Sequence, residues 1–255
     1  MIRQLLVTLM VAASAAGANA EVVRLGAGAS AADIQGVVDA FRADLGLRRE
    51  ISWDGVPDTF AAPNFLPSDF FSSRGAVFTT PGTGVQVSAD SSNPTATPVR
   101  FGHVNPTYAG IFQTFSAERL FSPIGSAIVD LRFVLPGTTI AAAVSGFGAV
   151  YADADLADAT SFEYFDSAGG SLGLFAIPTF NNGLSFLGIS FGAPVVARVR
   201  INYGNSALGP NDGAGIDVAV MDDFIYGEPR RLPEPGSLAL VAIGLGLAWR
   251  RRSWV

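Results

Sequence analysis

From Ala127 onward the chain is a succession of short runs rich in β-branched and aromatic residues, each closed by Gly, Asn, Asp or Pro. The runs are Ala127–Val134, Ala141–Val150, Ser161–Asp166, Ser171–Ile177, Leu184–Phe191, Val195–Tyr203 and Ile216–Tyr226. In Arg198–Tyr203 and Phe162–Asp166 polar and apolar side chains alternate, which is the period-2 signature of a strand with one wet face. Short strands at this spacing, with turn chemistry between them, predict an antiparallel β-sandwich.

The first half is less regular. Ser30 stands before a helical pattern in which Ile34, Val37, Val38, Phe41 and Leu45 recur on one face. Asp33 lies in the first turn and Gly46 follows the last. One short N-terminal helix, covering the end of a sheet, is predicted there. Beyond it Glu50–Asp58 is read as a short strand entering a turn. Frequent prolines then leave room only for short pieces at Gly75–Thr79, Gly84–Ser88, Val99–Phe101 and Phe112–Phe115. The Gly-rich Gly146–Gly148 and Gly169–Gly170 have no helix after them, so they are read as hairpin turns or bulges rather than phosphate loops.

The 255 residues contain no cysteine, which excludes disulfides, thiolate metal sites and a cysteine nucleophile. All 16 basic residues are arginine. Four of them lie at the two ends, leaving twelve against 22 acidic residues and a net charge near −10 on the body. Such a body repels phosphate backbones, so nucleic acid is not an expected partner.

The ends carry their own signals. Met1–Ala20 has a basic start at Arg3, an apolar run and the small-x-small tripeptide Ala18-Asn19-Ala20, which reads as a secretory signal peptide cut before Glu21. Near the C-terminus, Pro233-Glu234-Pro235 precedes fourteen uncharged residues, Gly236–Trp249, and then Arg250, Arg251 and Arg252. As a helix that run would span roughly 21 Å, short of the bilayer core of about 30 Å. Trp249 suits the interface, and the arginines would hold the end on the cytoplasmic side. The expected organisation is signal peptide 1–20, sandwich 21–228, linker 229–235 and a short transmembrane helix with basic tail 236–255.

The order of Pro233-Glu234-Pro235, apolar segment and Arg250–Arg252 closely resembles the PEP-CTERM sorting signal of Gram-negative bacteria. That resemblance implies an exosortase-type processing enzyme as partner, with Pro233, Glu234 and Pro235 as the recognition element. It implies a temporary membrane tether and a destination at the cell surface or in an exopolysaccharide or biofilm matrix. The body resembles uncharacterised exported proteins with the same tail through Trp53–Asp58, Gly146–Val150 and Met221–Glu228. Its closing strand, Ile216–Tyr226, looks like the last strand of jelly-roll carbohydrate-binding modules, so the sandwich is expected to be jelly-roll-like; fold alone does not assign a function.

Three clusters carry candidate chemistry. Asp153, Asp155 and Asp158 alternate in one loop after a strand and offer the hard oxygens that a structural calcium takes, although no EF-hand spacing surrounds them. The competing account is a solvated turn whose aspartates bond their own backbone. A second group, Asn211, Asp212, Asp217, Asp222 and Asp223, could meet the first if the strands abut. Trp53, Asp54 and Asp58 combine a ring that can stack on a sugar with two carboxylates, the raw material of a glycan site; a buried Trp beside an Asp-Gly turn is the structural alternative. His103 is the only histidine, and no Gly-x-Ser-x-Gly elbow accompanies it, so no catalytic residue is expected. The leading expectation is a non-enzymatic exported surface or matrix protein. A carbohydrate-binding module is the alternative, and a glycan hydrolase using Asp or Glu pairs is the third.

Overall fold

The computed structural model describes residues 21–232; both terminal signals lie outside them. Chain order runs β1 (Glu21–Gly28), α1 (Ala31–Leu45), β2 (Arg48–Ile51), β3 (Ala76–Thr79), β4 (Gly84–Val87) and α2 (Tyr108–Ile111). It continues through β5 (Phe121–Ile124), β6 (Ile128–Phe133), β7 (Ala142–Ala143), β8 (Gly146–Ala154), β9 (Ser161–Phe165) and β10 (Ser171–Ala176). The last elements are β11 (Phe180–Phe191), β12 (Arg198–Asn202), β13 (Val220–Gly227) and β14 (Arg230–Arg231).

The protein is mainly β, and its strands pair antiparallel. The larger sheet has the order β1-β11-β8-β13-β5-β4, with β2 also on β13. The second has the order β10-β9-β12-β6-β3, and β14 pairs separately with β7. The two sheets share one core: Phe147 and Tyr151 of β8 meet Phe162 of β9 at ring-centroid distances of 5.0 and 5.5 Å. On the opposite face of the larger sheet, Val150 and Ala152 of β8 join Ile34, Val38 and Phe41 of α1 in a second core. This makes three layers: helix, larger sheet, smaller sheet.

Layering explains the sequence patterns. All nine residues of β8 are buried because both of its faces are covered, so it reads as a continuous apolar run. In β6 and β12, whose outer face is open, burial alternates residue by residue. Gly146 and Gly148, expected in a turn or bulge, are instead the first and third residues of β8. A Cβ on Gly148 would stand 2.7 Å from Phe41 Cε1 and 2.8 Å from the Gly188 Cα, so their lack of a side chain lets α1 press onto the sheet. Gly169 and Gly170 do lie in the β9–β10 turn.

The helix begins and ends as expected, with the Ser30 N–H and hydroxyl both donating to Asp33 Oδ2 at 2.9 Å. Two expected strands are absent. Val99–Phe101 is a turn, with Arg100 and Phe101 at φ of 49° and 60°, left-handed values no strand adopts. Phe112–Phe115 follows α2 without pairing, and Phe112 is buried by helix-side packing instead. Three strands were not anticipated: β1, which begins at Glu21, the first described residue; β5, which contains Pro123 and so lacks one ladder donor; and β14. The stretch expected to act as linker starts inside the fold, since Arg230 and Arg231 pair with Ala143 and Ala142. Among the described residues no helix is long and apolar enough to cross a membrane, and the expected transmembrane run lies outside them.

Candidate functional site

The end of β8 builds the first acidic cluster. Asp153 is 2% exposed and left-handed at φ 63°, and its Oδ1 accepts the Asn182 N–H at 2.7 Å. Asn182 is left-handed too, where the β11–β8 register shifts between Phe180 and Leu184. The chain then turns at Asp155, whose N–H donates to Asp217 Oδ1 at 3.1 Å. Asp217 is fully buried and also accepts the Leu156 N–H and the Thr160 hydroxyl, each at 3.4 Å. Asp212 arrives from the long loop before β13. One carboxylate oxygen from each of Asp153, Asp155 and Asp212 lies within 4.8 Å of the other two.

Among the described residues no arginine pairs with any of these four carboxylates, and Asp155 Oδ1 is buried without a hydrogen-bond partner. Burial, opposed by the Asn182 N–H and aided by the Asp155 and Asp212 charges, pushes Asp153 up to about 7. Burial likewise raises Asp155, Asp212 and Asp217 above the ordinary carboxylate range. Chemically, such a cradle holds either shared protons or a hard cation with oxygen ligands. The expected trio is thus corrected in one member. Asp158 is exposed in the following turn and outside the cluster. Asp212, expected in the second acidic group, takes its place.

The rest of that second group sits elsewhere. Asp222 and Asp223 of β13 meet Asp54 around a single hydroxyl. Ser116 Oγ lies 3.2 Å from Asp54 Oδ2, 3.1 Å from Asp222 Oδ1 and 2.8 Å from Asp223 Oδ1. A hydroxyl carries one hydrogen and two lone pairs, so three carboxyl contacts require protonated partners among them. Burial, reinforced by the Asp223 charge, holds Asp222 well above the usual range, and burial also raises Asp223. Asp222 Oδ2 further accepts the Phe115 N–H at 2.6 Å, which fixes the loop entering β5.

Trp53, read from the sequence as a candidate sugar-stacking ring, lies in the core. Trp53 is 1% exposed, stacked on Phe121 at 4.3 Å and 10°, with its Nε1 donating to the Asp222 carbonyl at 2.7 Å. Both ring faces are occupied by protein, so no pyranose can reach them. Asp54 and Asp58 are structural partners: Arg119 donates its backbone N–H to Asp54 Oδ1 at 3.2 Å, and its Nη2 to Asp58. The same Nη2 reaches Asp90 at 2.7 Å. Arg119 itself, buried among these carboxylates, was missed by sequence reasoning; its partners, Asp54 and Asp58 from one loop and Asp90 from another, lie far from it along the chain and leave no local pattern. His103 is exposed in a turn.

A third feature is a groove of about 670 Å³ on the outer face of the smaller sheet, where the described chain ends. Asp130, Arg132, Arg198 and Arg200 line it, together with Leu232. Asp130 receives Arg198 at 2.7 Å and Arg200 at 2.9 Å, which holds its carboxyl below the usual range despite burial.

Residues 232–252 match the family description "PEP-CTERM protein-sorting motif". The chain carries an exosortase sorting signal. The PEP-CTERM match covers Pro233, Glu234, Pro235 and Arg250–Arg252, all outside the described residues, and implies an exported, membrane-processed protein of a Gram-negative bacterium. No curated protein matches the chain. Among solved structures it is similar to the enzymatically active domain of tailspike protein 4 of bacteriophage CBA120, at 16% identity and a TM-score of 0.29. That alignment covers 68% of this chain, which spans 22% of the tailspike domain.

Proposed function

We propose that this chain is a non-enzymatic surface or matrix protein, exported through its N-terminal signal peptide and released from a temporary C-terminal tether by an exosortase-type enzyme. Its jelly-roll-like body then serves an exopolysaccharide or biofilm matrix. The observation that carries the reading is the sorting motif at residues 232–252. The commitment of Asp54 and Asp58 to Arg119 and Ser116 supports a structural rather than hydrolytic role for those carboxylates. A carbohydrate-binding module is the alternative, and the burial of Trp53 removes the ring that motivated it.

Intact-mass analysis in cells with and without the processing enzyme tests the sorting. The expected result is loss of the apolar run and basic tail only where the enzyme is present. A mass retaining residues 236–255 in both strains overturns the proposal. Pull-down on matrix polysaccharides decides between coat protein and binding module: specific retention of the processed protein favours the module.

A structural calcium in the Asp153–Asp155–Asp212 cradle is a second part of this reading. It is supported by the unpartnered, buried Asp155 Oδ1 and the absence of any arginine partner among the described residues. Melting in calcium against EDTA tests it, and an unchanged midpoint removes it.

A further inference from the structure

The chain is fastened to the body in steps before it reaches the sorting motif. Glu228 donates its backbone N–H to the Leu47 carbonyl at 3.0 Å, and its carboxylate takes Arg49 Nε and Nη2 at 2.9 and 2.8 Å. Pro229 is buried against Gly75, where a Cβ would stand 2.7 Å from the Pro229 Cγ. Beyond that plug the hold is slight. Arg230 and Arg231 are exposed, and β14 pairs only with Ala143 and Ala142 of β7. These two strands form a two-stranded sheet of their own, outside the two large ones. Leu232 then lies in the groove that Ala142 also lines.

Such fastening shortens the reach of the tail. Pro233, Glu234 and Pro235 alone separate Leu232 from Gly236, where the apolar run begins. Those four residue steps span at most about 14 Å when fully extended. An enzyme that takes a peptide as an extended strand, backbone against backbone, needs free chain on both sides of the bond it cuts. On the N-terminal side of the motif, closed β14 leaves none. Opening it frees Arg230, Arg231 and Leu232 back to the Pro229 plug, and extends the reach to about 25 Å. Cleavage of a folded substrate follows the population of its locally opened form when opening is fast.

We propose that β14 is a strap that gates processing: closed on β7 it withholds the Pro-Glu-Pro segment from the processing enzyme, and cleavage proceeds through the opened strap. This rests on the tail being a sorting signal that is cut. Cutting breaks one peptide bond of the tail. The acyl group passes to water or to an amine acceptor, whose proton goes to the departing nitrogen, and the apolar run leaves with a new amino end. Because β14 closes on β7 and Pro229 on Gly75, the strap exists only once the body has folded. Folding therefore lengthens the time for which the body stays tethered.

The chain has no cysteine, so a single engineered pair is unambiguous. Ala142→Cys with Arg231→Cys joins residues that face each other across the β14–β7 ladder, and export to an oxidising compartment lets the disulfide form. A second variant carries an insertion of Gly and Ser, roughly 20 Å when extended, between Leu232 and Pro233, which lengthens the tail without touching the strap. Each full-length chain is expressed in cells that hold the processing enzyme. Intact mass followed over time reports both tail loss and the disulfide. The insertion should speed processing about tenfold, the population shift that one net hydrogen bond gives. The disulfide should slow processing by at least as much, and insertion into the locked chain should restore it, a rescue that misfolding would not allow. An oxidised pair processed at the parent rate, an insertion that changes nothing, or a locked chain that the insertion does not rescue overturns the proposal. If the pair does not oxidise, the insertion alone decides. Parent and insertion chains that both keep residues 236–255 remove the sorting reading and this inference together, an outcome distinct from processing that ignores the strap.

Discussion

Replacing Asp153 by Asn isolates the cost of burying charge in the cradle at the end of β8. The carboxyl rises from 3.8 to about 7 in the folded protein, with burial as the largest cause. A raised carboxyl means that the folded state holds the proton more tightly than the unfolded chain. The stability this gives is complete below about pH 4 and is lost as the pH rises to about 7. One pKa unit is worth about 1.4 kcal/mol, so the full shift corresponds to about 4 kcal/mol. The titration is shared with Asp155 and Asp212, which reduces the effect attributable to Asp153 alone to about 2 kcal/mol. Asn keeps an acceptor for the Asn182 N–H and replaces a strained carboxylate by a neutral amide. In EDTA at pH 8 the Asp153→Asn protein should melt about 4–8 °C above the parent, from the slope expected at this chain length. The two curves should converge near pH 4. Differential scanning calorimetry from pH 4 to 8 reads both. A midpoint difference that does not change with pH, or a variant that melts lower at pH 8 in EDTA, refutes the account of uncompensated burial.

Calcium should invert that order: the parent should gain stability in millimolar calcium, while Asp212→Asn abolishes the gain and Asp158→Asn leaves it intact, as calorimetry in both buffers would show. Gly148→Val drives a side chain into Phe41 and the Gly188 backbone; a loss of about 1–3 kcal/mol and faster proteolysis around α1 are expected. Trp53→Ala should cost about 3–5 kcal/mol in urea melts without altering any affinity for polysaccharide, since the ring is sealed in the core. Ser116→Ala removes the hydroxyl shared by Asp54, Asp222 and Asp223. Hydrogen exchange at the Phe115 and Ser116 amides should rise, and unchanged exchange would show that Asp222 holds the loop unaided.

Much of the local conformation, and the sorting signal, was written in the sequence alone. Helix α1 begins at its Ser30–Asp33 pair and stops at Gly46 because capping, periodicity and glycine are properties of neighbours in the chain. Strands β9 and β12 were legible through alternation, β6 as a β-rich run, and the sorting tail through three contiguous signals that need no fold to be recognised. Tertiary structure decided the rest, because burial is set by partners distant along the chain. It covered both faces of β8 and so made Gly146 and Gly148 the seats for Leu45 and Phe41 of α1. It sealed Trp53 against Phe121, 68 positions away, and separated Asp222 and Asp223 from Asp212. Composition could say that aspartates were plentiful; only the meeting of loops from three parts of the chain settled which of them stand together without a counter-charge.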